Sequence, residues 1–114
     1  MTETALLQRL LIRASELGWR LFRNQVGKYQ LADGRWISSG LVGSSDLIGW
    51  MPHRITPADV GRTFAVFVAV EAKVGRRALT EAQVNFLRAV RDAGGLALTA
   101  RSVDDLEDYP YANF

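Results

Sequence analysis

The apolar, valine-rich run over residues 64–74 most constrains what this chain can fold into. Its sequence, FAVFVAVEAKV, is almost continuously apolar until Glu71 and Lys73 near its end. β-Branched and aromatic residues favour a strand, and continuous rather than alternating apolarity is typical of a strand covered on both faces. We therefore expect a central strand that is buried on both faces, in a fold built around a sheet.

Two segments have the pattern of helices. Over residues 4–17 leucines recur at helical spacing, and Gly18 provides a stop. Over residues 81–93 a second apolar stripe follows Thr80 and Gln83, whose spacing matches a capping box. The sequence thus predicts one helix before the valine-rich run and one after it.

Shorter extended stretches complete the pattern. Strands are predicted over residues 19–24, 46–51 and 96–100, a hairpin turn at Asp33-Gly34, a loop over 52–62, and a final acidic turn capped by Ser102. The resulting order, α-β-β-β-α-β-α, describes a single α/β domain over residues 1–114, with a mixed sheet flanked by helices. A length of 114 residues suits one domain with one core.

Composition excludes several kinds of chemistry. The chain has no cysteine, which excludes a disulfide scaffold, a cysteine zinc site and a thiol nucleophile. Its single histidine, His53, leaves no histidine metal cluster and no Ser-His-Asp arrangement. Catalysis would therefore depend on carboxylates, lysine, hydroxyls or a metal held by oxygen ligands.

Charge is unevenly distributed along the chain. Residues 1–101 carry 14 basic and eight acidic side chains, whereas residues 102–114 carry four acids and no base. A basic body suits a polyanionic partner. No apolar run approaches the roughly 20 residues of a membrane helix, and Glu3 with Gln8-Arg9 disagrees with a signal peptide, so we expect no membrane association and a cytoplasmic protein.

The end of the valine-rich run carries the most informative side chains. Glu71 and Lys73 are two residues apart and would project from the same face of a strand. Alone, this pattern is typical of an ordinary ion pair where a strand reaches solvent. A second carboxylate, Asp46, precedes another predicted strand, and the loop over 52–62 could return the chain so that the two strands pair antiparallel. Two neighbouring carboxylates repel, and a divalent cation would relieve that repulsion.

At these residues the chain resembles the PD-(D/E)xK nucleases, and more fully their virus-type replication-repair nuclease (VRR-NUC) branch. The matching stretches are the early helix with Glu3, Trp19-Arg20, RNQVG at 23–27, GSSDLIG at 43–49, VEAK at 70–73, LTEAQVNFL at 79–87, and Gly94-Gly95 with the strand after it. Ser45 stands where many members have proline before the aspartate. The resemblance covers nearly the whole chain and implies a stand-alone restriction-endonuclease-like domain of the kind that phages encode.

The resemblance implies a role for each matching residue. Asp46, Glu71 and the backbone carbonyl of Ala72 would hold Mg²⁺ or Mn²⁺, for which oxygen ligands are suited. Lys73 would orient and help deprotonate the attacking water and offset charge on the phosphate. Two further side chains, Glu3 and Gln83, would act beside these: Glu3 on the metal, directly or through water, and Gln83 by positioning Lys73 or the water. Each also has a purely structural interpretation, a first-turn acid for Glu3 and a capping box for Gln83.

Basic and aromatic residues provide candidate DNA contacts. Arg76 and Arg77 follow the catalytic strand directly, and Lys28 with Arg35 lie on the glycine-rich hairpin. Tyr29 and Trp36, on the same hairpin, could stack on unpaired bases. The alternatives are a solvated turn for the arginines and core packing for the aromatic residues.

The expected function is metal-dependent endonucleolytic hydrolysis of DNA. A chain this short has little surface for reading base sequence, which favours structured substrates such as Holliday junctions, flaps or splayed arms in DNA replication or repair. Cutting a junction needs two sites, so a homodimer is expected, with Tyr109, Tyr111 and Phe114 as candidate interface residues. The alternative for these three residues is a tail folded onto its own core. The alternatives are a sequence-specific restriction-type endonuclease, a catalytically silent DNA-binding module, and a metabolic α/β enzyme, for which no cofactor motif is present.

Overall fold

The computed structural model describes residues 1–107, which form two compact units, one ending at His53 and the other beginning at Arg54. The candidate interface residues Tyr109, Tyr111 and Phe114 lie outside the described residues. The elements in chain order are α1 (Glu3–Glu16), β1 (Arg20–Arg23), β2 (Gly27–Gln30), β3 (Trp36–Ser39), β4 (Leu47–Trp50), a 3₁₀ turn (Pro57–Asp59), β5 (Val68–Ala72), α2 (Glu81–Asp92), β6 (Leu96–Ala100) and α3 (Asp104–Glu107). In this described part of the chain, no helix is long and apolar enough to cross a lipid bilayer.

The first unit begins with α1, whose two ends are set by local sequence. Thr2 caps the start, because its Oγ1 accepts a hydrogen bond from the Ala5 N–H at 3.1 Å. Gly18, with φ of +82°, lets the chain leave the helix. Leu7 and Ala14 are the buried residues of this helix. The helix predicted over residues 4–17 is therefore confirmed, with its start and its end each one residue earlier, at Glu3 and Glu16.

Two antiparallel pairs complete the first unit. β1 pairs with β4 so that Arg23 lies opposite Leu47, and β2 pairs with β3 in the predicted hairpin. Gly49 of β4 lies so close to β1 that a Cβ there would overlap the carbonyl oxygen of Arg20. This close approach requires glycine and holds the two strands in one register. The start of β4 is thereby fixed against the end of β1.

The second unit is a β-α-β arrangement. β5 and β6 are parallel, with Glu71 opposite Thr99, and α2 forms the crossover that packs against both strands. Leu87 and Val90 of α2 and Leu98 of β6 are almost fully buried and form the core of this unit. The capping box predicted at the start of α2 is present, since the Thr80 Oγ1 and the Gln83 side chain each accept a hydrogen bond from the other residue's backbone N–H.

Burial of β5 differs from the expectation. The strand spans Val68–Ala72 rather than residues 64–74, and its burial alternates, with Val68 and Val70 still 50% and 45% exposed. The prediction of a strand buried on both faces is wrong, because only Ala69 and Glu71, on one face, are partly buried, and Glu71 is bonded to Gln83 of α2. Valine favours extended backbone whether or not its side chain is covered, so composition alone could not distinguish the two cases.

The element order also departs from the predicted α-β-β-β-α-β-α. The hairpin adds two strands, β2 and β3, between the first two predicted strands, and the described strands form three two-stranded sheets. A mixed α/β fold is confirmed, whereas the joining of β4 and β5 in one mixed sheet stays a prediction. At the start of α3 the Asp105 carboxylate accepts from the backbone N–H groups of Arg101 and Ser102, and the Ser102 cap stays a prediction.

Candidate active site

Glu71 and Lys73 come together at the end of β5. The Lys73 N–H donates to the Ala100 carbonyl at 3.0 Å, so pairing with β6 continues one residue past the strand. Both side chains therefore share a face, as the two-residue spacing predicts. The Lys73 Nζ lies 4.0 Å from the Glu71 Oε1, and the side chains are only 11% and 31% exposed. At this burial the two opposite charges stabilise each other more than a surface pair would.

Gln83 connects this pair to α2. Its Nε2 donates to the Glu71 Oε1 at 2.8 Å, and its Oε1 accepts from the Thr80 N–H at 2.9 Å. The second bond fixes the orientation of the amide, because only the oxygen can accept from a backbone N–H. The structural and functional interpretations of Gln83 are therefore compatible, and the residue that Gln83 contacts is Glu71 rather than Lys73.

The Glu71 carboxylate is held by one oxygen only. Oε1 accepts the hydrogen bond from the Gln83 Nε2 and lies opposite the Lys73 Nζ, whereas Oε2 has no hydrogen-bond partner among residues 1–107. A half-buried carboxylate with one oxygen oriented and the other open is suited to bind a cation or a water molecule. This arrangement stays within the second unit and depends on no residue before Arg54.

Asp46 lies in the first unit, immediately before β4. Its carbonyl accepts from the Asn24 N–H at 2.8 Å, which extends the β1–β4 pairing by one residue. Its side chain is exposed, and the carboxylate has no hydrogen bond or ion pair to any described residue. Asp46 thus has a fixed backbone and an open carboxylate, and its predicted meeting with Glu71 stays a prediction.

Glu3 is the first residue of α1 and is exposed. It follows the N-cap Thr2, so its charge lies at the positive end of the helix dipole. That position fits the structural interpretation of this acid, and its predicted contribution to a metal site stays a prediction.

Comparison with family models decides the family. The model described as the VRR-NUC domain matches residues 14–104 of the 114 residues. The chain belongs to the VRR-NUC domain family. The resemblance expected from the sequence is confirmed, and membership implies a nuclease of the PD-(D/E)xK type with DNA as its substrate. Searches of curated proteins and of solved structures found no match.

The match covers most of the predicted site. In this VRR-NUC domain it includes Asp46, Glu71, Lys73 and Gln83, and it begins at Ala14, after Glu3. Nucleases of this superfamily generally depend on divalent metal. The donors fit such an ion chemically, since Glu71 and Asp46 each offer an open carboxylate oxygen of the kind that Mg²⁺ and Mn²⁺ prefer. Within residues 1–107 no three acidic or histidine side chains form a cluster that could hold a metal ion.

The turn after β5 presents two arginines of the VRR-NUC domain to solvent. Gly75, with φ of +62°, makes the turn, and its carbonyl accepts from the Arg101 Nη1 at 2.8 Å. Arg76 and Arg77 are exposed and form no ion pair with any described residue. Arg101 was missed from the sequence, because its contact joins positions 26 residues apart. This exposure fits a solvated turn, and phosphate contact by the two arginines stays a prediction.

The β2–β3 hairpin of the VRR-NUC domain exposes its aromatic residues to solvent. Trp36 is 65% exposed and Tyr29 is 51% exposed, so the core-packing interpretation of these two residues is wrong. Lys28 is exposed without a partner among the described residues, whereas Arg35 is bound to Asp33, with its Nε 2.7 Å from Oδ2. The Arg35 backbone N–H and then its guanidinium hold the pKa of the Asp33 carboxyl below its usual value. Lys28 is thus the freer cation for a phosphate.

One polar residue beside the site was also missed. Thr99 lies opposite Glu71 on β6, and its Oγ1 is inaccessible to solvent and has no hydrogen-bond partner among the described residues. A threonine in the otherwise apolar stretch LALTA was the only available signal. Nothing in the sequence shows that its hydroxyl would be left unpaired.

Proposed function

We propose that this VRR-NUC domain, residues 1–114, is a divalent-metal-dependent endodeoxyribonuclease that cuts branched DNA. The observation that carries the proposal is the cluster of Glu71, Lys73 and Gln83 at the end of β5. An oriented carboxylate with a lysine 4.0 Å away supplies both a metal ligand and a cation for phosphate chemistry. A silent DNA-binding module would need neither this pairing nor the open Asp46.

Asp46, Glu71 and the Ala72 carbonyl would hold Mg²⁺ or Mn²⁺. Their support is the open carboxylate oxygen on each acid and the preference of these ions for oxygen donors. When bound, the ion polarises the phosphodiester and lowers the pKa of the attacking water. The proposal requires β4 beside β5, in the single mixed sheet that the sequence predicts. Glu3 would add a ligand, directly or through water.

Lys73 and Gln83 would organise the rest of the reaction. Lys73 orients the water, assists its deprotonation and offsets the negative charge that develops on the phosphate as one ester oxygen leaves. Gln83 holds the Glu71 Oε1, so that the rotamer of this carboxylate is set before substrate binds. The roles of both residues depend on contacts within the second unit.

The exposed cations and aromatic residues support branched DNA as the substrate. Arg76 and Arg77 would bind phosphates beside the scissile bond, and Lys28 with Arg35 would bind a second segment. Tyr29 and Trp36 project from the hairpin and could stack on bases that are unpaired at a branch. Cutting both strands of a junction needs two active sites, which a homodimer would supply.

The test compares cleavage of labelled Holliday-junction, flap, splayed-arm and linear DNA by the wild type, Lys73→Ala and Asp46→Asn. Each is incubated with EDTA, Mg²⁺ or Mn²⁺. We expect metal-dependent cutting of branched substrates by the wild type and its loss in both variants. Arg88→Ala, which removes an exposed cation from α2, is the control and should cut normally.

Other outcomes would contradict specific parts of the proposal. Metal-independent binding without cutting on any substrate would leave a binding module. Discrete fragments from linear duplex would identify a restriction-type enzyme instead of a structure-specific one. Light scattering of the active protein measures its mass, and a monomer on junction DNA would contradict the homodimer.

A further inference from the structure

Asn24 makes an unusually complete set of contacts to the residues that lead into β4. Its side-chain Nδ2 donates to the Ser44 Oγ at 2.7 Å and to the Ser45 carbonyl at 2.9 Å. Its backbone N–H donates to the Asp46 carbonyl at 2.8 Å. One residue directly after β1 therefore holds three consecutive residues, and both N–H bonds of its amide nitrogen are used.

Ser44 extends these contacts into the loop. Its hydroxyl accepts from Asn24 and donates to the Leu41 carbonyl at 2.6 Å, and its backbone N–H donates to the same carbonyl at 3.0 Å. The direction of the chain of bonds is fixed, because a carbonyl can only accept. The turn over residues 41–44 is thereby closed and attached to β1.

The start of the loop, at Gly40, also packs against the residues that follow Asn24. Gly40 has φ of +71°, and a Cβ there would lie 2.6 Å from the Gln25 carbonyl oxygen. The loop over residues 40–46 thus approaches residues 24–26 at both ends. Its position is defined by close contacts within the first unit, with no contribution from the Asp46 carboxylate.

We infer that Asn24 is a positioning residue that holds the backbone of Asp46 so that its carboxylate stays free to bind metal. This inference rests on the proposed function of Asp46. The contacts hold every residue from Ser44 to Asp46 through backbone or hydroxyl oxygens, and they leave the Asp46 carboxylate without a hydrogen bond or ion pair to any described residue. A ligand held in advance loses less conformational freedom when a cation binds.

The chemistry of the contacts explains why the residue is asparagine. Both acceptors are oxygens, so the position needs two donors on one nitrogen. Aspartate would place oxygen against oxygen and add a negative charge beside Asp46, and an aliphatic side chain would leave the Ser45 carbonyl unpaired. Asn24→Ala and Asn24→Asp should therefore both loosen the backbone position of Asp46, although neither substitution changes the Asp46 carboxylate itself.

The test measures Mn²⁺ binding by calorimetry in the absence of DNA, together with cleavage against Mn²⁺ concentration. The proteins are the wild type, Asp46→Asn, Asn24→Ala, Ser44→Ala and Gln25→Ala, the last being an exposed neighbouring amide whose side chain makes no hydrogen bond to a described residue. We expect Asn24→Ala and Ser44→Ala to weaken Mn²⁺ affinity by about tenfold, as loss of a group that orients a metal ligand does. Gln25→Ala should bind like the wild type.

Recovery at high metal concentration separates positioning from a general structural effect. Saturating Mn²⁺ should restore cleavage by Asn24→Ala, because the ligand is still present, but not by Asp46→Asn. Circular dichroism and thermal melting without metal identify the variants that fold. If Asn24→Ala does not fold, Ser44→Ala, which removes only the relay hydroxyl, decides the outcome.

Two results would overturn the inference in different ways. Folded Asn24→Ala and Ser44→Ala with wild-type Mn²⁺ affinity would show that the loop contacts do not position Asp46, while leaving its metal role intact. Equal Mn²⁺ binding by the wild type and Asp46→Asn, or none by either, would instead remove the proposed role of Asp46 and this inference with it.

Discussion

The Gln83 Nε2 donates a 2.8 Å hydrogen bond to the Glu71 Oε1, while the Gln83 Oε1 accepts from the Thr80 N–H. A single side chain thus caps α2 and orients the carboxylate at the end of β5. The same helix that completes the core with Leu87 and Val90 sets the rotamer of Glu71. Stability and activity should be separable here, because Thr80 takes part in the cap alone.

Replacing Thr80 and Gln83 separately tests this division. Thr80→Ala removes the N-cap oxygen and should lower the free energy of unfolding by about 1 kcal/mol with cleavage retained. Gln83→Ala should cost a similar amount, about 1 kcal/mol, and also reduce cleavage about 10- to 100-fold because Glu71 loses its orienting donor. Urea denaturation and a cleavage assay measure the two effects. An equal loss of cleavage in both variants would show that the cap, not the Glu71 contact, controls activity.

Lys73→Ala should abolish most cleavage without unfolding the protein. The Lys73 ammonium lies 4.0 Å from the Glu71 Oε1, and losing a group that assists proton transfer costs about 10²- to 10⁴-fold. Lys73→Arg should recover little, since a planar guanidinium cannot replace a compact ammonium. Single-turnover cleavage and circular dichroism are the measurements. Wild-type rates in folded Lys73→Ala would remove lysine from the mechanism.

Thr99→Val should stabilise the protein. The Thr99 Oγ1 is buried without a partner among the described residues, and a methyl group of the same shape removes the cost of an unpaired hydroxyl, about 1 kcal/mol. Thr99→Ser, which keeps the hydroxyl and loses the methyl, should destabilise by about 1 kcal/mol. Thermal and urea unfolding of the wild type and both variants measure these changes in stability. A destabilised Thr99→Val would mean that the hydroxyl has a hydrogen-bond partner in solution.

Asp105 should make the stability of α3 pH-dependent. The N–H groups of Arg101 and then Ser102 hold the pKa of its carboxyl below the usual 3.8. A carboxyl whose pKa is lowered in the folded state stabilises the protein fully when the pH is above its unfolded-state pKa. It loses that contribution as the pH falls through its folded-state pKa. Asp105→Asn should therefore destabilise near neutral pH, with a difference from the wild type that narrows below about pH 3.8.

The control for this effect is Asp104→Asn, whose exposed carboxylate makes no hydrogen bond or ion pair to a described residue. Unfolding free energies measured between neutral and acidic pH give the comparison, and a proton titration of the Asp105 carboxyl by NMR gives its pKa directly. A difference between Asp105→Asn and the wild type that stays constant across this range would contradict the assignment.

The local elements of this protein could be predicted because each depends on residues close in sequence. Thr80 and Gln83 define the start of α2 through a three-residue spacing, Asp33-Gly34 marks the hairpin turn, and the bounds of β6 are as predicted. The shared face of Glu71 and Lys73 follows from the two-residue repeat of a strand. The family could be recognised because its short motifs, such as GSSDLIG at 43–49 and VEAK at 70–73, follow one another in order along the chain.

Contacts between distant residues could not be predicted in the same way. Gln83 could have faced Lys73, the attacking water or Glu71, and only the packing of α2 against β5 selected Glu71. The exposure of Val68 and Val70 depends on which face the helix covers, which valine content does not encode. Asn24 lies in the family-matching stretch at 23–27, but its contacts could not be predicted, because its partners lie 20 and 21 residues later in the chain.

The sequence by itself determined the elements, the spacing of the charged residues and the family, since periodicity and capping act over a few neighbouring residues. Only the tertiary structure decided which donor orients Glu71, that Thr99 is buried unpaired, and how Asn24 holds the residues before β4. These depend on the burial and hydrogen-bond geometry that arise when separate elements pack, and a free energy of packing belongs to the pair of surfaces rather than to either segment alone.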